Sequence, residues 1–125
     1  MTGKLFRIWD AKKNAVVVPD KHLYLMTQIE TIAKFDQTGK VVRHTGIVHD
    51  WFTGFRDRDA TPVYANDLVA FHHSYWTHSD GSPISAVVTW DQKMGAWWLV
   101  NTENSKFRVL LSKHIRKGKV IGRKA

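Results

Sequence analysis

The chain has no cysteine. That excludes disulfides, thiolate zinc sites and cysteine nucleophiles. A small secreted fold ordinarily carries disulfide staples, so the absence fits an intracellular setting, and a cytoplasmic one is expected. No run approaches the ~20 apolar residues that a membrane span needs. The opening MTGKLFRIWD holds no apolar stretch of signal-peptide length. Glutamate is scarce: only Glu30 and Glu103 occur, far apart, so no glutamate pair suggests general acid–base work. There is no Walker loop, no dinucleotide fingerprint and no G-x-S-x-G elbow around any serine. No cofactor is implied, and the chain reads as a binding module rather than an enzyme.

What is present describes an ordinary globular chain. Its 125 residues suit a single domain, 1–125, with one core. Hydrophobic residues make up 43% and charged residues 24%, which argues against disorder. Six tryptophans can supply much of the buried area a small core needs. The net charge of +8 is unevenly spread. Residues 1–105 hold eleven Lys+Arg and eleven Asp+Glu, so they are neutral. The segment 106–125 holds Lys106, Arg108, Lys113, Arg116, Lys117, Lys119, Arg123 and Lys124, and no acid. Such a block reads either as a contact for phosphate or an acidic protein, or as a solvated tail.

The punctuation is that of short strands joined by turns. LFRIW at 5–9 and AVVV at 15–18 flank a polar DAKKN and predict a hairpin ended by Pro19. Residues 21–33 are ambiguous. Leu23, Met26, Ile29 and Ala33 lie roughly on one helical face, with Asp20 as a cap, so one short helix near 21–33 is an expectation. The alternative is a hairpin around Asp36 to Gly39, pairing 31–35 with 40–44. PVYANDLVAF at 62–71 reads as a tight turn feeding a strand, with Asn66 in the left-handed region and Asp67 bonding the turn backbone. ISAVVTWD at 84–91 and AWWLVN at 96–101 form the clearest hairpin, and Gly95 supplies the positive φ. A last strand is expected over 107–111. The fold class is therefore mainly β, a small barrel or sandwich.

At this point the residues resemble phage and prophage proteins of the YopX type. FRIWD at 6–10 is similar to that family's opening strand, roughly F-R-A-W-D. The stretch FTGFRDRDATPVYANDLVAF at 52–71 resembles its central segment, where Thr53, Gly54, Asp57, Tyr64, Asp67 and Val69 match by position. AVVTWDQKMGAWWLV resembles a later hairpin, and KHIRKGKVIG the closing segment. Four islands in order cover most of the chain. The departures are Asn66 where the family has glycine, RDAT at 58–61 for its Asn-Gly loop, an unmatched stretch over about 20–50, and the ending RKA. The resemblance implies an SH3-like β-barrel with an N-terminal hairpin and a phage or prophage origin. It supplies no catalytic residues.

Seven histidines invite a metal reading, but His72 and His73 are neighbours that a strand points to opposite faces. His44 and His49, upstream of the His72, His73 and His78 group, lack familiar ligand spacing, so no metal site is assigned. The aromatics say more. Trp97 and Trp98 are adjacent, so they point to opposite faces: one can enter the core, and the other is either covered within the domain or exposed to stack a base or anchor a peptide. Tyr75 and Trp76 pose the same question, while Trp9 and Trp90 are assigned to the core. Arg56 and Arg58 flank Asp57 and either pair locally or reach a phosphate. The expected binding residues are Arg56, Arg58, Trp97, Trp98, Lys106, Arg108, Lys113, Arg116, Lys117 and Lys119. The expected partner is DNA or RNA, bound with strong salt dependence. The alternative is a phage or host protein seated in an aromatic-lined groove. No membrane partner is expected, and self-association is left open. A truncation after Asn104 should remove most of the salt dependence, provided the domain stays folded.

Overall fold

A computed structural model describes residues 6–17, 22–26, 31–71 and 76–124. The chain divides into two compact units, Met1–Trp51 and Phe52–Lys124. Just over half of the described residues, 52%, are strand, and among them no helix is long and apolar enough to cross a membrane.

In the first unit, β1 (Phe6–Asp10) pairs antiparallel with β2 (Ala15–Val16). The turn forms because Asp10 Oδ1 accepts the N–H groups of Lys12 and Lys13, at 2.9 and 3.2 Å, and Asn14 takes a φ of 52°. The predicted hairpin is present; its Pro19 lies outside the described residues. Next come β3 (Leu23–Met26), β4 (Ile32–Phe35) and β5 (Val41–Val42), which form a three-stranded sheet in that order. The helix expected near 21–33 is therefore wrong for the described part of that stretch. Leu23 pairs with Phe35 and Met26 with Ile32, so both ends of the stretch lie in one hairpin. A short run such as LYLM is apolar on both faces and fits either period, so pairing decides it. Ile29 and Asp20, which the helix also invoked, lie outside the described residues.

The hairpin around Asp36 is the reading that holds. Asp36 Oδ1 accepts from the N–H groups of Thr38 and Lys40, at 2.8 and 3.0 Å, and from the Thr38 hydroxyl at 2.6 Å. These bonds keep its carboxyl below the usual aspartate range. The long strand β6 (Ile47–Arg56) pairs with β1 along its first half, setting Arg7 opposite Asp50.

In the second unit the far half of β6 pairs with β7 (Pro62–Tyr64). A tight turn at Asn66, φ 70°, leads into β8 (Asp67–Ala70), and Asp67 Oδ2 accepts the Tyr64 N–H at 2.9 Å, as expected. Then follow β9 (Ala86–Asp91) and β10 (Ala96–Asn101), joined by a turn with Gly95 at φ 62°. Asp91 Oδ1 braces that turn by accepting from Lys93 and Met94. β11 (Arg108–Leu110) leads into a helical turn, α1 (Leu111–His114), continued as a 3-10 turn (Ile115–Lys117), and β12 (Lys119–Arg123) ends the unit. The sheet order is β11-β10-β9-β8-β12, every pairing antiparallel, curled into a half-barrel.

Period-2 alternation sends Val69, Ala86, Val88 and Leu99 inward, each fully buried. Leu111 and Ile115 of the helical turns close the same core, with Val63, Phe71 and Trp76. The strand expected over 107–111 is shorter than expected. Phe107 precedes it and is 54% exposed, and Leu111 reaches the core as the first helical residue. Trp90 is not in the core: it sits next to the β9–β10 turn and is 47% exposed. Trp9 is half-buried, with the Arg7 guanidinium 5.5 Å from its ring centre.

Candidate phosphate pocket

The basic segment does not form one patch. β11 and β12 occupy the two opposite edges of the five-stranded sheet, and the helical turns cross between them. Lys106 and Arg108 therefore lie at one edge, Lys113 and Arg116 on the crossing, and Lys117 and Lys119 at the start of the other edge.

At the first edge, Arg108 is already engaged. Its Nη1 donates to Asp91 Oδ2 at 2.8 Å, and its guanidinium carbon lies 4.3 Å from the Trp98 ring centre. The Met94 N–H and the Arg108 guanidinium hold the Asp91 carboxyl below the usual range. One face of Trp98 is thus covered by the chain's own arginine. Trp97, on the opposite face of β10, packs on the core margin with its ring 5.1 Å from Trp90. Trp97 and Trp98 are both half-buried, while Trp90, across from Trp97, is 47% exposed. The adjacent-residue rule separated Trp97 from Trp98 correctly, but it does not show what covers each face. The neighbouring backbone N–H of Lys106 donates to Asn104 Oδ1, and its side chain is exposed.

The second edge holds the concave site. A pocket of about 200 Å³ is lined by Arg58, Ala70, Phe71, Pro83, Lys117 and Lys119. Three basic residues share this lining with three apolar ones, and among the described residues no acidic side chain lines it. Arg58 and Lys119 are far apart in sequence, and the buried Asp57 brings them together. Its Oδ2 accepts the Val120 N–H at 2.8 Å, across to β12. Its Oδ1 accepts the N–H groups of Asp59 and Thr61, both at 2.9 Å, closing the 57–61 loop. Beside it, the Arg58 N–H donates to the Gly118 carbonyl at 3.0 Å. Burial alone would raise the Asp57 carboxyl, but the bonds from Val120, Thr61 and Asp59 outweigh it and hold the group below its usual range. The clamp is therefore an ionised carboxylate bridging loop and strand.

Gly118 completes the arrangement. A Cβ there would lie 2.7 Å from Val69 Cγ1 and 3.5 Å from Phe71 Cβ. Only glycine lets the chain press onto β8, with Lys117 and Lys119 on either side.

Of the ten residues expected to bind, the fold brings together Arg58, Lys117 and Lys119. Arg56 turns back instead, donating to the Ala60 carbonyl at 3.0 Å. Lys113 and Arg116 are exposed on the crossing. Among the described residues neither lysine of the pocket has a carboxylate partner, while Arg58 Nε lies 3.8 Å from Asp59 Oδ2. Sequence reading missed Asp57, Gly118, Phe71 and Pro83. Two signals pointed to the first pair: a polar D-x-D loop suited to side-chain-to-backbone bonds, and a glycine between two lysines.

The histidines go to other uses. His78 Nε2 lies 3.5 Å from Glu103 Oε1, and His44 Nε2 contacts the Ile32 carbonyl. His49 sits edge-on to Phe6 and Trp51. His72, His73 and Tyr75 lie outside the described residues, and Trp76 is buried, 5.4 Å from the Phe71 ring.

No family model matches this chain. No curated protein matches it either, so its resemblance to the YopX proteins rests on the quoted residues alone.

Proposed function

We propose that this chain is a small, non-enzymatic nucleic-acid-binding module of YopX type, of phage or prophage origin, with an SH3-like barrel in its second unit. The observation that carries the reading is the pocket of Arg58, Lys117 and Lys119, built by the Asp57 clamp and, among the described residues, free of acidic lining. Three lining cations suit phosphate oxygens, and Lys113 and Arg116 are exposed on the helical turns that lead to Lys117.

The test is fluorescence anisotropy with single-stranded DNA, duplex DNA and RNA across a salt series. Three single-strand phosphate contacts correspond to a log–log slope of about −2. Replacing both Lys117 and Lys119 with alanine should reduce that slope by about 1.4. Absence of binding to all three polymers at low salt rejects the reading. Point substitutions replace the truncation after Asn104, which would remove Leu111 and Ile115 from the core.

A different observation supports a second reading, engagement of a phage or host protein. Trp90 is exposed beside Trp97, an aromatic pair of the type that lines peptide grooves. Retention of a defined partner from nuclease-treated lysate, lost in Trp90→Ala, would favour it. Loss of retention on nuclease treatment favours nucleic acid.

A further inference from the structure

We infer that the Arg58–Lys117–Lys119 pocket is a binding site for a terminal phosphate monoester, such as the phosphorylated end of a nucleic-acid strand. The inference rests on the nucleic-acid reading above and specifies which phosphate the pocket takes.

Size is the first argument. A volume of about 200 Å³ lies below the ~300–1,000 Å³ of pockets that enclose a drug-sized ligand. It has room for one phosphoryl group with part of the sugar that carries it. Concavity matters too. A backbone phosphate flanked by nucleotides on both sides lies along a surface, whereas a chain end can enter a pit.

Charge is the second argument. An internal phosphodiester carries a single negative charge, while a monoester carries about −1.5 to −2 at neutral pH. Among the described residues, Arg58, Lys117 and Lys119 line the pocket with no acidic side chain in the lining; Asp59 beside Arg58 offsets one of these charges, and the two lysines carry the excess. That excess is matched better by the monoester. The lining of Ala70, Phe71 and Pro83 excludes water from one side and strengthens each charge–charge contact.

Preorganisation is the third. The Arg58 backbone is pinned to the Gly118 carbonyl, and Asp57 ties the same loop to Val120. The cations are therefore carried on backbone already fixed before a ligand arrives, which lowers the ordering cost of binding. The guanidinium can take two phosphate oxygens at once, and the two lysines act as point charges on the rest.

The experiment compares short single strands of one sequence, labelled at the 3′ end and bearing either a 5′-phosphate or a 5′-hydroxyl. A strand labelled at the 5′ end and bearing a 3′-phosphate tests the other terminus. Anisotropy should show one phosphorylated end bound about tenfold more tightly than the hydroxyl strand. The ratio should fall to near one in the Lys117→Ala/Lys119→Ala double variant, and persist in Lys93→Ala at the distant β9–β10 turn. A nucleoside monophosphate should compete and shift the amide resonances of Gly118 and Lys119, while the nucleoside should not. Equal, salt-dependent binding of all strands overturns this inference and leaves the nucleic-acid reading intact. If no strand binds but the monophosphate shifts those amides, the monoester site stands and the nucleic-acid reading falls. No response to either overturns both.

Discussion

The two units are held together by different physics. Among the described residues, the second unit buries nine apolar side chains in one cluster, from Val63 on β7 to Ile115 on the helical turn. Among its own described residues, the first unit has two buried side chains, Ile32 and Asp50. It leaves Val16, Leu25, Val41 and Val48 exposed, and Trp51 at the margin of exposure. Among the described residues, its order comes from hairpin pairing, turn-bracing aspartates and an ion pair. That pair is Arg7 Nε to Asp50 Oδ2 at 3.0 Å, with the two side chains 12% and 0% exposed. Similar strand propensity in the two halves therefore produces a closed apolar core in one and a polar-braced sheet in the other. A β-rich composition does not say which.

The contrast can be broken by substitution. The largest effect is expected for Leu99→Ala, which empties a fully buried site in the second unit. It should cost about 4 kcal/mol in denaturant unfolding, whereas Val41→Ala, 72% exposed in the first unit, should change stability by less than about 0.5 kcal/mol. A comparable loss from both would erase the distinction. Next is Arg7→Met, which leaves the Asp50 carboxylate buried without its guanidinium. A loss of about 3 kcal/mol is expected, read by the same unfolding curves. A neutral result would mean that the first unit does not depend on its ion pair.

The third and smallest is Asp57→Asn in the second unit, which keeps an acceptor but removes the charge that three N–H groups address. It should cost about 2 kcal/mol at neutral pH. The folded carboxyl titrates below its usual value, so the folded state binds fewer protons than the unfolded chain. The stabilisation is complete above about pH 4 and is lost as pH falls through the folded value. The stabilities of Asp57→Asn and the parent should therefore converge under acid, in a pH series of denaturant melts. A constant gap down to low pH would show that the Asp57 charge is not what the clamp uses.

The parts of the fold legible in the sequence were those set by neighbouring residues. The 84–101 hairpin was readable because ISAVVTWD and AWWLVN alternate and Gly95 separates them. The Asn66 turn and the Asp36 hairpin were readable for the same kind of reason. The 21–33 stretch was misread because LYLM is apolar in any period, and only pairing with Ile32 to Phe35 selects a strand. Trp90 was misassigned because strand alternation aims it along the same face as Val88 but does not reveal that the core ends before the β9–β10 turn. The site was legible as charge and illegible as place. Arg58, Lys117 and Lys119 were all singled out, yet so were seven other residues.

The sequence by itself determined that this is a mainly β chain without disulfides, with all its net positive charge in the segment 106–125. Those properties follow from composition and from interactions spanning a few residues. Only the tertiary structure decided that the basic segment is divided between opposite sheet edges, that Arg108 is bound to Asp91 and Trp98, and that Arg58 joins two lysines 59 and 61 positions away. The reason is that the deciding contacts are long-range. The carboxylate of Asp57 reaches an N–H 63 residues distant, and a missing Cβ at Gly118 lets two strands close around the pocket.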